Sequence, residues 1–235
     1  MKFIHLSLLL SIASTLCAQI PLSDFDKSAV KYKKINSYIR EKQKHNVQYF
    51  SQIKPSVSSE SDLSAYSFHT ATYTINSPLE TTWNACVQTS PAQLWNSGIL
   101  KLGCIYNQNS NTLHYCATQE FFPLDVNQIY FINLRFLRVL NIAAALITTR
   151  IDPENKIIEF TYIEGNTSQG KQSMRLVQSG ENETKIIHDT YFKSSSKFRD
   201  KRLYPTFHQK SIGDLHKNID FFSTEIQKKN NVSIN

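Results

Sequence analysis

Residues 73–83, YTINSPLETTW, join the end of an alternating segment to the start of a helix. The segment 68–75 is rich in β-branched and aromatic residues at alternating positions, which predicts a strand. Ser77 is a helix-capping type, Pro78 suits the first turn of a helix, and Glu80 favours its positive end. The stretch therefore predicts a strand, a turn and a helix in succession. A second polar residue followed by proline at 90–91 predicts another short helix.

The sequence that follows these helices predicts mainly antiparallel strands. Polar turn sequences at 107–111, 152–155 and 179–182 each separate two β-rich segments and predict three hairpins. Residues 131–142 are ambiguous between strand and helix.

The hydrophobic pattern changes near the end of the sequence, where apolar residues recur at intervals of three and four. This stripe predicts one long amphipathic helix that begins near Pro205, and its members are Ile212, Leu215, Ile219, Phe222 and Ile226.

The region before the first strand has a different composition. Residues 23–52 contain no glycine or proline, and between Lys27 and Lys54 eight lysines and arginines accompany one glutamate. We predict a basic helical extension and linker over residues 19–65. Two interpretations of residues 27–54 stay open: a solvated helical linker, or an arm that makes peripheral contact with an anionic membrane. No recognised motif supports binding to nucleic acid.

The first 18 residues resemble a secretory signal. Lys2 precedes an apolar run over residues 6–13, and Leu16-Cys17-Ala18 is a plausible small-residue cleavage site. We expect a signal peptide at 1–18, cleavage near Ala18, and an exported protein that is periplasmic or secreted.

Composition narrows the function classes. The chain has 235 residues, of which 40% are hydrophobic and 19% charged, and only 6 are glycine, which favours a globular domain over a fibrous one. The remaining cysteines, Cys86, Cys104 and Cys116, lack the spacing of a zinc site. They are either buried thiols or include a disulfide between Cys104 and Cys116. No phosphate-binding loop, dinucleotide fingerprint or hydrolase motif is present, so no metal or other cofactor is expected.

The predicted order of elements resembles the helix-grip or START-like superfamily. Residues 73–83 resemble its opening strand, turn and helix, and residues 184–191 resemble one of its last two strands. The resemblance covers roughly residues 66–229 and leaves 230–235 as a flexible tail. It implies an α+β fold in which a curved antiparallel sheet of about six or seven strands wraps around the long C-terminal helix.

The same resemblance implies a cavity between sheet and helix that binds a hydrophobic small molecule such as a lipid, sterol or polyketide. His188 shares one face of its predicted strand with Ile186 and Thr190, and would be a polar group in that cavity. The expected ligand-binding residues are His188, Phe131, Phe136, Phe160, Met174 and Leu215. Two alternatives remain: a cyclase or aromatase-like enzyme that uses His188, and an interaction protein without a cavity that acts through the basic arm.

Overall fold

A computed structural model describes residues 19–116, 122–136 and 140–232 of the chain. The expected signal peptide lies outside the described residues. The helices are α1 (Lys33–Lys44), α2 (Leu79–Gln88), α3 (Pro91–Leu94) and α4 (Tyr204–Val232). The strands are β1 (Ser67–Ile75), β2 (Leu100–Asn107), β3 (Thr112–Tyr115), β4 (Gln128–Phe136), β5 (Leu140–Asp152), β6 (Ile157–Tyr162), β7 (Gln169–Gly180) and β8 (Glu183–Lys193).

These strands form one antiparallel sheet in the order β1-β8-β7-β6-β5-β4-β2-β3. The described residues contain eight strands rather than six or seven, because the ambiguous region 131–142 holds the end of β4 and the start of β5. Irregular pairing between Leu102 and Cys104, and again between Thr148 and Arg150, interrupts two ladders. Such bulges bend strands and increase their twist. The three predicted hairpins and the long final helix are confirmed, and α4 continues past 229 to Val232.

The inner face of the sheet packs against α4 and α2. Alternate residues of β6, such as Ile158 and Phe160, are buried there, as expected for a strand with one face on a core. Ile212, Leu215 and Ile219 of α4 are each at most 3% exposed and pack into the same cluster. The apolar stripe read from the sequence therefore faces the sheet.

Residues from the predicted N-terminal extension, 19–65, cover the part of the outer face that β2, β4 and β5 form. Ile35 and Ile39 of α1 and the fully buried Phe50 form a second core against β2, β4 and β5. Phe131 belongs to this outer core, where its ring lies 6.0 Å from that of Phe50. The expectation that Phe131 lines the inner cavity is therefore wrong, because its side chain points away from α4.

The basic residues of the extension remain at the surface. Lys33, Lys34, Arg40 and Lys44 are exposed, whereas the apolar side of α1 is buried on the sheet. Lys42 is an exception: it is 9% exposed, its ammonium donates to the Glu164 carbonyl, and it lies over the Tyr38 ring. In the described part of the chain, no helix combines the length and apolarity needed to cross a membrane.

The three cysteines that the structure describes occur as free thiols. Cys86 and Cys104 are buried and Cys116 is half-buried, and none is in a disulfide. Burial raises the pKa of Cys86 and of Cys116 to about 12. These thiols are therefore protonated near neutral pH and are poor nucleophiles.

Candidate ligand-binding site

A cavity of about 270 Å³ lies between the inner face of the sheet and the N-terminal half of α4. Most of its wall is apolar and comes from Trp95, Leu100, Ile132, Leu146, Phe207 and Ile212. Small side chains leave the space open: Ala144 lines it from β5, and Ser211 lines it from α4. A larger side chain at either position would project into this volume.

One wall of the cavity carries a connected set of polar groups centred on Gln172 of β7, which is 3% exposed. Its amide Nε2 donates to the Tyr162 hydroxyl at 3.0 Å, and that hydroxyl lies 2.6 Å from the hydroxyl of Tyr204. Its Oε1 lies 3.1 Å from Nε2 of His188 and 3.3 Å from Nε2 of His208. Tyr162, Gln172, Tyr204 and His208 all line the cavity.

These contacts fix the tautomers of the histidines. Because Gln172 Oε1 only accepts, both His188 and His208 carry their proton on Nε2. Nδ1 of His188 is then an acceptor, and Nε2 of His216 donates to it at 3.2 Å. Both ring nitrogens of His188 are therefore occupied by protein groups.

The three histidines are neutral near pH 7. Burial, reinforced by the neighbouring imidazoles, lowers the pKa of His188 and of His208 well below the ordinary value. The same effects lower the pKa of His216 to about 3. A neutral imidazole offers one donor and one acceptor, so this wall suits a hydrogen-bonding group rather than a charged one.

His208 is the one of these three histidines that lines the cavity. Its Nε2 contacts Gln172 and lies 3.4 Å from the Thr190 hydroxyl, whereas its Nδ1 has no hydrogen-bond partner among the described residues. The ring is 9% exposed and stacks on Tyr204 at 5.1 Å between centroids. Nδ1 is itself shielded from the cavity, so this unpaired buried acceptor is a cost to the fold and not a contact point for a ligand.

At the edge of the cavity Arg199 donates to the Ser168 hydroxyl at 2.7 Å. Its Nε lies 3.6 Å from Oδ1 of Asp200. Both Arg199 and Ser168 line the cavity. Across the described ranges no three histidine, cysteine or acidic side chains are arranged to hold a metal ion.

Most of the expected ligand-binding residues lie in the inner core but not on the cavity wall. His188, Phe160, Met174 and Leu215 are buried on the side of the sheet that faces α4. The cavity instead follows the first turns of α4, up to Ile212, and Leu215 lies beyond it. Phe131 lies on the outer face, and the side chain of Phe136 lies outside the described part of the structure.

The sequence contains signals for the groups that this expectation missed. Gln172 alternates with Met174 and Leu176, so it is a polar residue on an apolar strand face. Tyr204, His208 and Ser211 precede Ile212 at helical spacing, which places polar groups beside the apolar stripe of α4.

Comparisons with known proteins support the fold. No protein-family model matches the chain, and no curated protein matches it. A point mutant of norcoclaurine synthase from Thalictrum flavum, in complex with a transition-state analogue, is similar with a TM-score of 0.52 and 13% identity, covering 68% of this chain and 96% of that chain. The same synthase in complex with dopamine and hydroxybenzaldehyde is similar with a TM-score of 0.50 and 12% identity, covering 72% of this chain and 95% of that chain.

A START superfamily protein from Mycobacterium smegmatis gives a TM-score of 0.46 and 12% identity, over 68% of this chain and 98% of that one. At these identities the likeness to the synthase is one of architecture. With its antiparallel sheet packed against a long C-terminal helix, the chain has a helix-grip-like α+β fold.

Proposed function

We propose that the protein binds a hydrophobic small molecule, such as a lipid, sterol or polyketide, in the cavity between the sheet and α4. The observation that carries this proposal is a mainly apolar cavity of about 270 Å³ with polar groups gathered on one wall. Ligand sites are commonly apolar with a few placed polar groups, and range from about 300 to 1,000 Å³. The cavity is close to the lower end of that range, which favours a compact ligand or one segment of a longer one.

The polar wall suggests which end of the ligand faces it. The paired hydroxyls of Tyr162 and Tyr204 belong to residues that line the cavity, and both donate and accept. A hydroxyl-bearing apolar molecule matches these atoms without placing a charge in the cavity. The similar synthase structure with dopamine and hydroxybenzaldehyde holds small aromatic molecules that carry such groups.

We further propose that this binding takes place outside the cytoplasm, after export directed by residues 1–18. The support is the sequence of that segment, which has a positive start, an apolar run and a small-residue cleavage site.

Binding is favoured over catalysis by the state of His188. A cyclase or aromatase-like role would need one of its ring nitrogens to contact substrate, and both contact protein groups instead. The interaction-protein alternative requires that the space be filled by the protein's own side chains, and the cavity argues against that.

Filling the cavity should abolish uptake of a neutral apolar fluorescent probe, N-phenyl-1-naphthylamine. Ala144→Trp places an indole on the inner face of β5, where Ala144 lines the cavity. We expect the Kd of the probe to rise at least about tenfold, a change of about 1.4 kcal/mol. Fluorescence titration measures this Kd.

The matched control is Thr72→Trp, which adds the same ring to an exposed position of β1 and should change the Kd less than about twofold. Ser211→Leu fills the same cavity from α4 and provides a second test if Ala144→Trp unfolds. Equal effects of the filling and control variants, or no effect of either filling variant, would contradict the proposed site.

A further inference from the structure

The helical segment that leads from β8 into α4, in which Arg199–Leu203 form a π-helix, exposes an unusual combination of side chains. Phe198 is 67% exposed and Leu203 is 38% exposed, although both are large and apolar. Three cations of the same segment are also exposed, and with these two residues they form what we call the 197–203 patch: Lys197, Phe198, Lys201, Arg202 and Leu203.

The fold holds this patch in place through its acidic residue. Asp200 is 8% exposed, and its carboxylate accepts from the backbone N–H of Ser194 at 2.8 Å and from its hydroxyl at 2.6 Å. Arg199 is held inward by Ser168. With Asp200 and Arg199 turned inward, the side chains left at the surface are apolar or positive.

Other exposed apolar residues lack this setting. Phe68 packs against Tyr191 in a tilted arrangement, with 4.9 Å between ring centroids, and Phe221 packs edge-on against Phe222 at 5.1 Å. The basic surface of α1 lacks exposed large apolar side chains, because Ile35 and Ile39 are buried on the sheet. In the part of the chain that the structure describes, only the 197–203 patch combines an exposed phenylalanine with a cluster of unpaired surface cations.

We propose that the 197–203 patch docks the protein on an anionic lipid bilayer. Phe198 enters the boundary between headgroups and acyl chains, while Lys197, Lys201 and Arg202 contact lipid phosphates. The charge complementarity selects an anionic surface, and the exposed apolar side chains select a bilayer over a soluble polyanion. Leu203 also lines the cavity, so docking brings the mouth of the cavity to the membrane. The proposal stands independently of what the cavity binds.

The charge requirement is tested by sedimentation of the purified full chain with vesicles of phosphatidylcholine containing a quarter phosphatidylglycerol. Intact mass identifies the N-terminus, which must be the same in every variant. Each cation at an anionic surface contributes a factor of about five, so a triple variant should lower the partition coefficient roughly 100-fold. The triple variant is Lys197→Ser, Lys201→Ser and Arg202→Ser.

A control variant with an equal change of charge on α1 separates the effect of the patch from the effects of net charge and of the basic arm. The control removes three exposed cations of α1 by Lys33→Ser, Lys34→Ser and Arg40→Ser. We expect this control to weaken binding less than about threefold, because it alters only the longer-range attraction. A larger loss in the α1 control than in the patch variant would overturn the proposal.

The apolar requirement has its own matched pair. Phe198→Ser should lower vesicle binding about tenfold, and Phe221→Ser, which removes a similarly exposed ring, should leave it within about twofold. Phe198→Trp should show a blue-shifted emission and quenching by brominated lipid, and Phe221→Trp should show neither.

Failure of the wild-type chain to bind anionic vesicles, or equal binding to pure phosphatidylcholine, would overturn the proposal. Vesicle binding and uptake of the fluorescent probe are measured separately, so failure of docking and failure of ligand binding are distinguishable. Quenching that is the same in both tryptophan variants would also overturn it.

Discussion

Replacing Phe50 by alanine is expected to lower the free energy of unfolding by about 3–5 kcal/mol, the usual cost of truncating a buried phenylalanine. Phe50 is fully buried, with its ring 5.2 Å from that of Tyr106 and 6.0 Å from that of Phe131. It holds the N-terminal segment on the outer face of the sheet. Urea denaturation at neutral pH measures the change.

Phe221→Ala is the control for this prediction. Because Phe221 is 59% exposed, its truncation should lower the free energy of unfolding by less than about 1 kcal/mol. If residues 19–65 formed an arm detached from the sheet, Phe50→Ala and Phe221→Ala would lower the free energy of unfolding by similar amounts. Equal stabilities for Phe50→Ala and Phe221→Ala would therefore contradict the packing of residues 19–65 on the sheet.

Lowering the pH from 7.5 to 4.5 is expected to destabilise the fold through the buried histidines. The unfolded chain takes up protons below the ordinary histidine pKa of about 6.5, whereas His216 in the fold has a pKa of about 3. The unfolded state then binds more protons. The contribution of His216 to the free energy of unfolding is therefore fully present above about pH 6.5 and is lost as the pH falls toward 3. His216 alone contributes roughly 1.4 kcal/mol per pH unit in that window, and the lowered pKa values of His188 and His208 act in the same direction.

The variant His216→Gln isolates this contribution. It should be less stable at pH 7.5, since it loses the contact with His188 and the stacking on Tyr73, but its stability should fall less steeply with acid. The expected decrease in slope is about 1.4 kcal/mol per pH unit, from urea denaturation at a series of pH values. The same substitution at the exposed His45 is the control. An unchanged slope in His216→Gln would contradict a neutral, buried His216.

Much of the architecture was predictable because local rules and tertiary packing agree. Polar turns mark the hairpins, and Asn111 even supplies the positive φ, 51°, at the end of the first one. The stripe of Ile212, Leu215 and Ile219 predicted which side of α4 is buried. Each of these signals lies within a few residues of the element that it predicts.

The second core was missed because its signal is spread across distant segments. In β4 successive residues are apolar, so that Tyr130 and Ile132 face inward while Ile129 and Phe131 face outward. A strand that is apolar on both faces needs a cover on both. That pattern indicates a second layer on the outer face, and residues 19–65 supply it.

The candidate site was predicted only as far as the inner face. Strand alternation places His188 on the same face as Ile186, which packs in the inner core, but the position of the cavity along α4 depends on where small residues such as Ala144 and Ser211 lie. Strand register and helix position determine where those residues lie, and neither can be read from local sequence. The ligand-binding roles of His188, Phe160, Met174 and Leu215 stay predictions.

The central claim is that the cavity holds a hydrophobic ligand, and native mass spectrometry of the purified chain tests it most directly. Organic extraction and identification of the released compound complete the measurement. We predict one hydrophobic molecule of defined mass per chain in the wild type and in Thr72→Trp, and none in Ala144→Trp. An empty wild-type chain that also takes up no member of a hydrophobic compound library would contradict the account.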